Sequence, residues 1–343
     1  MKSVFIITEA NETVATGHLM ECIVCAEELL NKNFMISFWI NNNAVYELKK
    51  RIPCHYNEYF QSIEHDYLQL LSEINRRHPE IVLFNLREVK ELFLENFRKQ
   101  IENNVEIICI DEFGHRNLPA DIIINPMIDS YYWNYNQFRG QLFCGAKYLI
   151  LPQKLKTLHK KTKLIRKKIE TITITMGGVD PKNLTMQLME IIPTIFPEAV
   201  INIIVGGGNC YKENIRKKGA ERVELNIFEN ITDLPEMIQV SDLVICAGGN
   251  TLHETACLGT PAIILPSMPH EKRTAKCFED AGFGYAVNNI EDMYNRLIDS
   301  CEKLKEYQIR EEMSANGKRL SDGLGVKRVC SILSGERERL EDI

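Results

Sequence analysis

Short apolar runs alternate with helical patterns along almost the whole chain, and this alternation limits the possible folds more than any other feature of the sequence. Each run is continuous instead of alternating with polar residues, which is typical of strands buried on both faces. The predicted strands are Val4–Thr8, Met35–Ile40, Ile81–Leu86, Val105–Ile110, Ile122–Ile124, Thr171–Thr175, Val200–Val205, Val223–Ile227, Leu243–Cys246, Ala262–Leu265 and Tyr285–Val287. Strands that alternate with helices form parallel sheets with right-handed crossovers. The sequence therefore predicts an α/β protein with two parallel sheets of about six strands each.

A change of composition separates the two predicted sheets. Residues 153–170 contain no aromatic residue and eight lysines or arginines. We expect a first domain at 1–152, a basic linker at 153–170, a second domain at 171–324 and an amphipathic helix at 325–343 that packs back on the first domain. The linker pattern is typical of a solvated segment, and a basic face that attracts anionic lipid or polyphosphate is the alternative.

The composition argues against several classes of protein. A formal net charge of −6 disfavours general nucleic-acid binding, which needs a basic surface. No apolar run approaches the roughly 18 residues of a membrane span, so only a peripheral membrane contact is left open. No secretion signal is recognisable, and we therefore expect a cytoplasmic protein whose eleven cysteines are reduced. The oligomeric state cannot be predicted from these features.

Glycine-rich turns follow several predicted strands of the second domain, at residues 176–183, 206–209 and 247–251. Glycine pairs let the backbone approach a ligand closely, and the N-terminus of the following helix favours negative charge. Neither a P-loop nor a G-x-G-x-x-G motif is present, which disfavours an ordinary ATPase or NAD enzyme. One such turn alone is equally typical of a tight strand-to-helix connection. Three of them in one domain predict an anionic ligand, namely a diphosphate.

Three side chains near the ends of predicted strands are suited to chemistry. Glu254 lies one turn into a helix, where it would accept hydrogen bonds from a ribose or complement the helix dipole. His18 begins a helix after a long polar loop and is suited to be a general base at neutral pH. Glu21 lies beside it on the helix surface, where it would orient the ring or simply be solvated. Cys22 and Cys25 are predicted to be core residues and not a metal or redox pair.

Five stretches of the chain resemble a known family. The stretches are TGHLMECIVCAEEL, ICIDEFGHRNLPADIIINP, FCGAKYLILP, ITITMGGVDPKNLT and VICAGGNTLHETACLGTPAIILP. They are similar to the family of the UDP-2,4-diacetamido-2,4,6-trideoxy-β-L-altropyranose hydrolase of pseudaminic acid synthesis and to the spore-coat-polysaccharide proteins of the SpsG type. Both groups are relatives of GT-B glycosyltransferases such as MurG. The resemblance implies a GT-B fold, with two Rossmann-like doubly wound domains that face a central cleft and the nucleotide on the second domain.

The resemblance also implies roles for individual residues. His18, preceded by Gly17, takes the position of the histidine in the G-H-x-x-R element of the family, which implies that it is the general base. The diphosphate would lie at the glycine turn of residues 247–251, the ribose at Glu254 and the nucleotide base near Phe228. With the glycines of the turn at 176–183 included, the expected nucleotide-sugar-binding residues are Gly177, Gly178, Phe228, Gly248, Gly249, Asn250, Thr251 and Glu254. No metal and no cofactor are expected, because the sequence contains no D-x-D motif.

Two departures from the family pattern affect the expected substrate side of the site. Glu21 stands where the hydrolases have arginine, and His270-Glu271 stands where they have Asn-Gln. We expect a hydrolase that releases UDP and a free amino sugar in nonulosonic-acid or surface-polysaccharide synthesis. Synthesis of the pseudaminic acid that is used in flagellin glycosylation is one such pathway. A GT-B glycosyltransferase that uses a UDP- or CMP-sugar is the first alternative, and a non-catalytic nucleotide-sugar-binding protein is the second. A UDP-linked substrate is expected over a CMP-linked one.

Overall fold

The computed structural model describes residues 2–10, 17–41, 49–59, 62–87, 89–112, 114, 118–229, 231, 233–288 and 292–337. The chain divides into two compact units. The first unit comprises Met1–Gln153 together with Gly323–Ile343, and the second comprises Lys154–Asp322. The chain therefore passes from one unit to the other twice, near residues 153 and 323.

Strands and helices alternate through both units. The strands are β1 (Ser3–Thr8), β2 (Met35–Asn41), β3 (Tyr56–Tyr59), β4 (Ile81–Asn85), β5 (Glu106–Ile110), β6 (Ile122–Asn125), β7 (Gln141–Cys144), β8 (Thr171–Thr175), β9 (Val200–Val205), β10 (Leu225–Glu229), β11 (Leu243–Cys246), β12 (Ala262–Ile264) and β13 (Tyr285–Ala286). The helices are α1 (Gly17–Asn31), α2 (Tyr67–Arg77), α3 (Glu91–Gln100), α4 (Gln153–His159), α5 (Leu184–Ile195), α6 (Lys212–Ala220), α7 (Leu234–Val240), α8 (Asn250–Leu258), α9 (Glu271–Asp280), α10 (Met293–Leu304), α11 (Tyr307–Leu320) and α12 (Gly325–Ser334).

Each unit is built on one parallel sheet. The first sheet has the strand order β3-β2-β1-β4-β5-β6-β7, and the second has the order β10-β9-β8-β11-β12-β13. Every pair of neighbouring strands runs parallel. The order reverses direction beside β1 and beside β8, which is the pattern of a doubly wound sheet. The prediction of two parallel-sheet, Rossmann-like domains is confirmed.

The central strands of the first sheet are buried by helices on both faces, which explains why their sequences are continuously apolar. Val4 and Ile6 point into one cluster with residues of α1 and α12. Phe5 and Ile7 point into a second cluster with Trp39 and with residues of α2 and α3. Successive side chains of a strand alternate between faces, so a strand covered on both sides needs an apolar residue at every position.

The structure differs from the predicted strands at the edges of the sheets. β3 and β7 were not predicted, and they form the two edges of the first sheet. Residues of an edge strand are only partly covered, so β3 carries polar residues and gives no apolar run. The predicted strand at Val223 begins instead at Leu225, because Val223 is fully exposed.

Helix α12 packs on α1 of the first unit. Val329 and Cys330 share an apolar cluster with Cys22 and Cys25. The helix is shorter than the predicted segment 325–343, since it ends at Ser334 before a glycine in the left-handed conformation, with φ of 80°. A residue with a side chain is strained in that conformation, so glycine at this position ends the helix.

Part of the segment at 153–170 is held to the second unit by its basic side chains, so it is not wholly a solvated linker. Lys163 is buried, and its Nζ donates to the backbone oxygen of Gln239 at 2.6 Å, at the end of α7. Arg166 Nη1 donates to Asp242 Oδ1 at 2.9 Å. The buried Arg310 of α11 donates to the backbone oxygen of Arg166 at 2.9 Å. A solvated segment was predicted because a sequence does not show where long cationic side chains find backbone acceptors.

Within the described ranges, none of the helices has both the length and the apolar character needed to cross a bilayer. The eleven cysteines are free thiols.

Candidate functional site

His18 of the first unit lies on a hydrogen-bonded array with Asn85 and Glu21. Its side chain is buried in the first turn of α1, and its Nδ1 lies 3.0 Å from Oδ1 of Asn85. Asn85 is the last residue of β4 and is fully buried. Its Nδ2 donates to Oε2 of Glu21 at 3.0 Å. One buried amide therefore contacts both of the side chains that the sequence predicted for catalysis.

This array fixes the tautomer of the neutral histidine. Asn85 turns its Nδ2 to Glu21 and its Oδ1 to His18, which is the arrangement that an ionised Glu21 requires, because a carboxylate only accepts hydrogen bonds. An amide oxygen also only accepts, and Nδ1 of His18 must therefore carry the proton. The lone pair of the ring is left on Nε2. A histidine with its second nitrogen held in this way is oriented to take a proton through Nε2.

Asn85 was not predicted as a site residue. The sequence predicts that Glu21 orients His18 directly, whereas the described contacts join the two through Asn85. The available signal was a polar residue at the end of an otherwise apolar run, Ile81–Leu86. Buried polar side chains at the carboxyl end of a parallel strand commonly face ligands. A single sequence does not show which polar strand ends meet.

A second carboxylate lies beside the same histidine. Glu112 follows β5 and is partly buried. A ring nitrogen of His18 and carboxylate oxygens of Glu21 and Glu112 lie within 4.8 Å of one another. Among the described residues, two carboxylates therefore lie beside His18, and this corner of the first unit carries acidic groups.

In the second unit, the glycine turns after β8 and β9 pack against each other. A Cβ atom at Gly206 would lie 2.2 Å from the backbone oxygen of Gly177, so only glycine fits there. The backbone N–H of Gly208 donates to the oxygen of Gly178 at 2.9 Å. Gly177 has φ of +75°, and a Cβ atom at Gly177, Gly178 or Gly207 would contact nothing within 4 Å. The two turns thus present backbone to open space, where a ligand can approach closely.

The turn after β11 is shaped by its contact with Glu271. A Cβ atom at Gly248 would lie 2.7 Å from Cβ of Glu271, which explains the first glycine of the pair. Oε2 of Glu271 accepts the backbone N–H groups of Ser267 at 2.7 Å and Met268 at 3.0 Å. This oxygen therefore accepts hydrogen bonds from its own turn. His270, the residue before Glu271, is exposed. Gly249 is the N-cap of α8.

The carboxyl group of Glu254 has a perturbed pKa. It lies in α8 and is partly buried, and this burial raises its pKa to about 7, while Lys154 acts in the opposite direction. Lys154 itself pairs with Glu236 at 2.8 Å. A carboxyl group that is desolvated and has few fixed partners gains from hydroxyl donors on a ligand. Its role as a ribose ligand or as a complement to the helix dipole stays a prediction.

The predicted residues of the second unit follow neighbouring strands of one sheet. The glycine turns follow β8, β9 and β11, and the turn with His270-Glu271 follows β12. Phe228 is partly buried near the end of β10. Asn250 and Thr251 form the start of α8, where Thr251 accepts a hydrogen bond through its backbone oxygen from Thr255 at 2.7 Å. The carboxyl ends of parallel strands share an edge, so these residues lie along the carboxyl edge of the second sheet, where ligands of doubly wound sheets commonly bind.

Comparisons with known proteins relate the chain to glycosyltransferases. Residues 171–328 match the model of the glycosyltransferase family 28 C-terminal domain. The chain is 24% identical over 328 residues to the spore coat polysaccharide biosynthesis protein SpsG of Bacillus subtilis strain 168, covering 92% of this chain and 93% of that protein. It is 28% identical over 181 residues to the UDP-N-acetylglucosamine--N-acetylmuramyl-(pentapeptide) pyrophosphoryl-undecaprenol N-acetylglucosamine transferase of Natranaerobius thermophilus, covering 49% of each chain.

Solved structures match almost the whole chain. MurG of Acinetobacter baumannii superposes with a TM-score of 0.67 at 14% identity, covering 98% of this chain and 100% of that one. The chain has a GT-B fold. The UDP-GlcNAc 2-epimerase of Neisseria meningitidis bound to UDP-GlcNAc matches with a TM-score of 0.64 at 14% identity, covering 97% of this chain and 100% of that one. The predicted fold class and the resemblance to SpsG-type and MurG-like proteins are confirmed. Because the fold is shared with an epimerase, it does not define the reaction.

Proposed function

We propose that this protein is a glycosyltransferase of surface-polysaccharide synthesis that uses a UDP-sugar donor, with His18 as the general base. The observation that carries the proposal is the His18–Asn85–Glu21 array, which leaves Nε2 of a buried histidine as the proton acceptor. The match of residues 171–328 to a glycosyltransferase domain favours transfer to an acceptor. The Natranaerobius thermophilus transferase, whose name contains UDP-N-acetylglucosamine, favours UDP over CMP.

In the proposed reaction, Nε2 of His18 takes the proton from a hydroxyl group of the acceptor. The acceptor oxygen forms a bond to the anomeric carbon, and the bond from that carbon to the phosphate oxygen breaks. The electron pair leaves with UDP. Backbone N–H groups at Gly249, Asn250 and Thr251, at the N-terminus of α8, would stabilise the negative charge on the diphosphate. Glu254 would accept hydrogen bonds from the ribose, and the nucleotide base would lie near Phe228.

Hydrolysis of the nucleotide sugar is the second candidate, and the five stretches shared with the hydrolase family favour it. Water would take the place of the acceptor hydroxyl, and the same base would deprotonate it. The charge inversion at Glu21 weakens this candidate, because the hydrolases have arginine at that position. An acidic corner beside the base suits a neutral or cationic group and repels an anionic one.

Product analysis separates these candidates. Purified protein is incubated with a panel of UDP- and CMP-sugars, with and without glycan acceptors, and the sugar and nucleotide products are identified by mass spectrometry. The transferase proposal expects UDP release that depends on an acceptor, together with a larger glycan. UDP and free sugar without an acceptor would support the hydrolase instead. Binding without turnover of any donor would contradict both and leave a nucleotide-sugar-binding protein.

A further inference from the structure

We propose that His18, Glu21 and Glu112 form a binding site for a divalent first-row transition metal ion. A ring nitrogen of His18 and one carboxylate oxygen from each of Glu21 and Glu112 lie within 4.8 Å of one another. Small movements of the side chains would bring these atoms to the distances of about 2.0–2.2 Å that zinc makes to nitrogen and oxygen ligands. One imidazole and two carboxylates suit Zn²⁺, Co²⁺ or Mn²⁺, whereas calcium and magnesium take oxygen ligands alone.

The second observation is the state of His18. Its side chain is only 8% exposed, Nδ1 is held by Asn85, and Nε2 has no hydrogen-bond partner among the described residues. Histidines that bind metals donate their other ring N–H to an oxygen, which fixes the ring and its tautomer. Asn85 provides that oxygen and also donates to Glu21. One buried amide thus orients two of the three ligands before a metal binds.

The ligand set depends on the residue that departs from the family pattern. An arginine at position 21 would bring a positive charge to this corner and repel a cation. Glu21 supplies a carboxylate instead, and Glu112 supplies another from the loop after β5. The absence of a D-x-D motif predicts no metal, but ligands that come from separate elements make no such motif.

Metal binding and base catalysis would compete for one atom. Nε2 of His18 has a single lone pair, which either coordinates the ion or accepts the proton. A bound ion therefore inhibits turnover, and chelation leaves turnover intact or raises it. This consequence rests on the proposed function, whereas the metal site itself does not.

The test uses the full-length protein without an affinity tag, stripped of metal and in the absence of nucleotide sugar. Co²⁺ binding is followed by visible absorption, and Zn²⁺ binding is followed by calorimetry. We expect one ion per chain and a loss of affinity of at least about tenfold in Glu112→Gln. Glu95→Gln is the matched control, because Glu95 is exposed on α3. Asn85→Ala should weaken binding by roughly 10–100-fold, and Asn85→Asp, which keeps the acceptor for Nδ1, should restore it.

Circular dichroism establishes that each variant is folded before its affinity is compared. Failure of the folded wild-type protein to bind either ion overturns the metal site, and so does an affinity that Glu112→Gln leaves unchanged. A protein that binds the ion but turns over no nucleotide sugar contradicts the proposed function alone. Turnover that saturating Zn²⁺ does not inhibit contradicts the shared use of Nε2.

Discussion

Replacement of His18 tests its role at the scale of a single residue. A general base contributes about 10²–10⁴-fold to the rate, so His18→Ala should lower kcat by about that factor. Nucleotide affinity should not change, because the proposed nucleotide-binding residues belong to the second unit. Turnover and UDP affinity are measured on the same preparation. His65→Ala is the control, since His65 is an exposed histidine of the first unit. Wild-type turnover in His18→Ala would remove both catalytic candidates.

Replacement of Asn85 provides a second test, in which the effect on His18 is measured as a change in the pH dependence of the rate. Asn85→Asp places a carboxylate against Nδ1 of His18, and a nearby negative charge favours the imidazolium. The base must be neutral to act, so the acid limb of the pH–rate profile should move to higher pH. Asn85→Ala should lower kcat without moving the acid limb of the pH–rate profile to higher pH. A role of Asn85 in folding alone would change stability and leave the profile where it is.

Glu254 should make the stability of the protein depend on pH. Its pKa is about 7 in the folded chain, against an ordinary value of 4.5. Between these values the folded chain holds a proton that the unfolded chain has lost, so stability falls as pH rises, by at most about 3 kcal/mol. Glu254→Gln lacks this contribution, and its stability relative to wild type should rise over the same range. Urea unfolding of both proteins across this range measures the difference, and parallel curves would contradict the prediction.

The same carboxyl group should affect nucleotide binding. If it accepts the ribose hydroxyls, Glu254→Ala should weaken UDP binding by about 1–3 kcal/mol, the cost of leaving hydroxyls without partners. Wild-type affinity should rise as pH passes about 7, because hydroxyls donate more strongly to an ionised carboxylate than to a neutral carboxyl group. Calorimetry at several pH values measures both effects. An affinity that neither the substitution nor pH changes would leave Glu254 with a structural role in α8.

At the scale of single residues, the sequence was enough to select candidate site residues but not to predict which side chains contact one another. His18 and Glu254 could be selected because each lies near the start of a helix that follows a predicted strand. Asn85 could not be selected, because its importance lies in meeting two side chains from another element. The roles of these residues remain predictions until the variants are measured.

At the scale of secondary structure elements, Lys163 should stabilise the end of α7. Its buried Nζ donates to the backbone oxygens of Gln239 and Ser241, which the helix itself leaves without donors. Lys163→Met keeps the aliphatic chain but removes these donors, and we expect a loss of about 1–3 kcal/mol in the free energy of unfolding. Lys160→Met is the control at an exposed position and should change stability by less than about 0.5 kcal/mol. Equal unfolding curves for the two variants would contradict the prediction.

The elements that the sequence predicted well are those with uniform surroundings. Central strands such as β1 are buried on both faces, so their apolar runs mark them clearly. The edge strands β3 and β7 are partly exposed and only four residues long, so neither gives a long apolar run. The segment before β8 was misinterpreted for a related reason, because cationic side chains are typical both of solvated segments and of caps on backbone carbonyls.

At the scale of the whole molecule, the docking of α12 on α1 can be tested through buried thiols. Cys25 is fully buried, and its pKa is raised by its contact with Cys330 and by burial. Val329→Asp places an unpaired charge in this contact and should undock the helix. Cys25 should then react with a thiol reagent many times faster, as measured by mass spectrometry. The exposed Cys210 should react at the same rate in both proteins. Unchanged protection of Cys25 would show that α12 is not needed to cover it.

The alternation of strands and helices was enough to predict the fold class of the whole molecule. It was not enough to predict the reaction, because a UDP-GlcNAc 2-epimerase shares the fold. The chemistry depends on a few side chains at the strand ends, and these can change without any change in the sheets.

The return of the chain to the first unit has a consequence for synthesis on the ribosome. Helix α1 ends at Asn31, but the helix that covers it begins only at Gly325. At about 5–20 residues per second, α1 waits on the order of 15–60 s for that cover. All residues of the second unit have been synthesised once Asp322 has emerged from the ribosome. The second unit can therefore fold while the C-terminal segment of the first unit is still missing. The apolar side of α1 is thus open to chaperones for most of translation, and the half of the protein made first would be the last to finish folding.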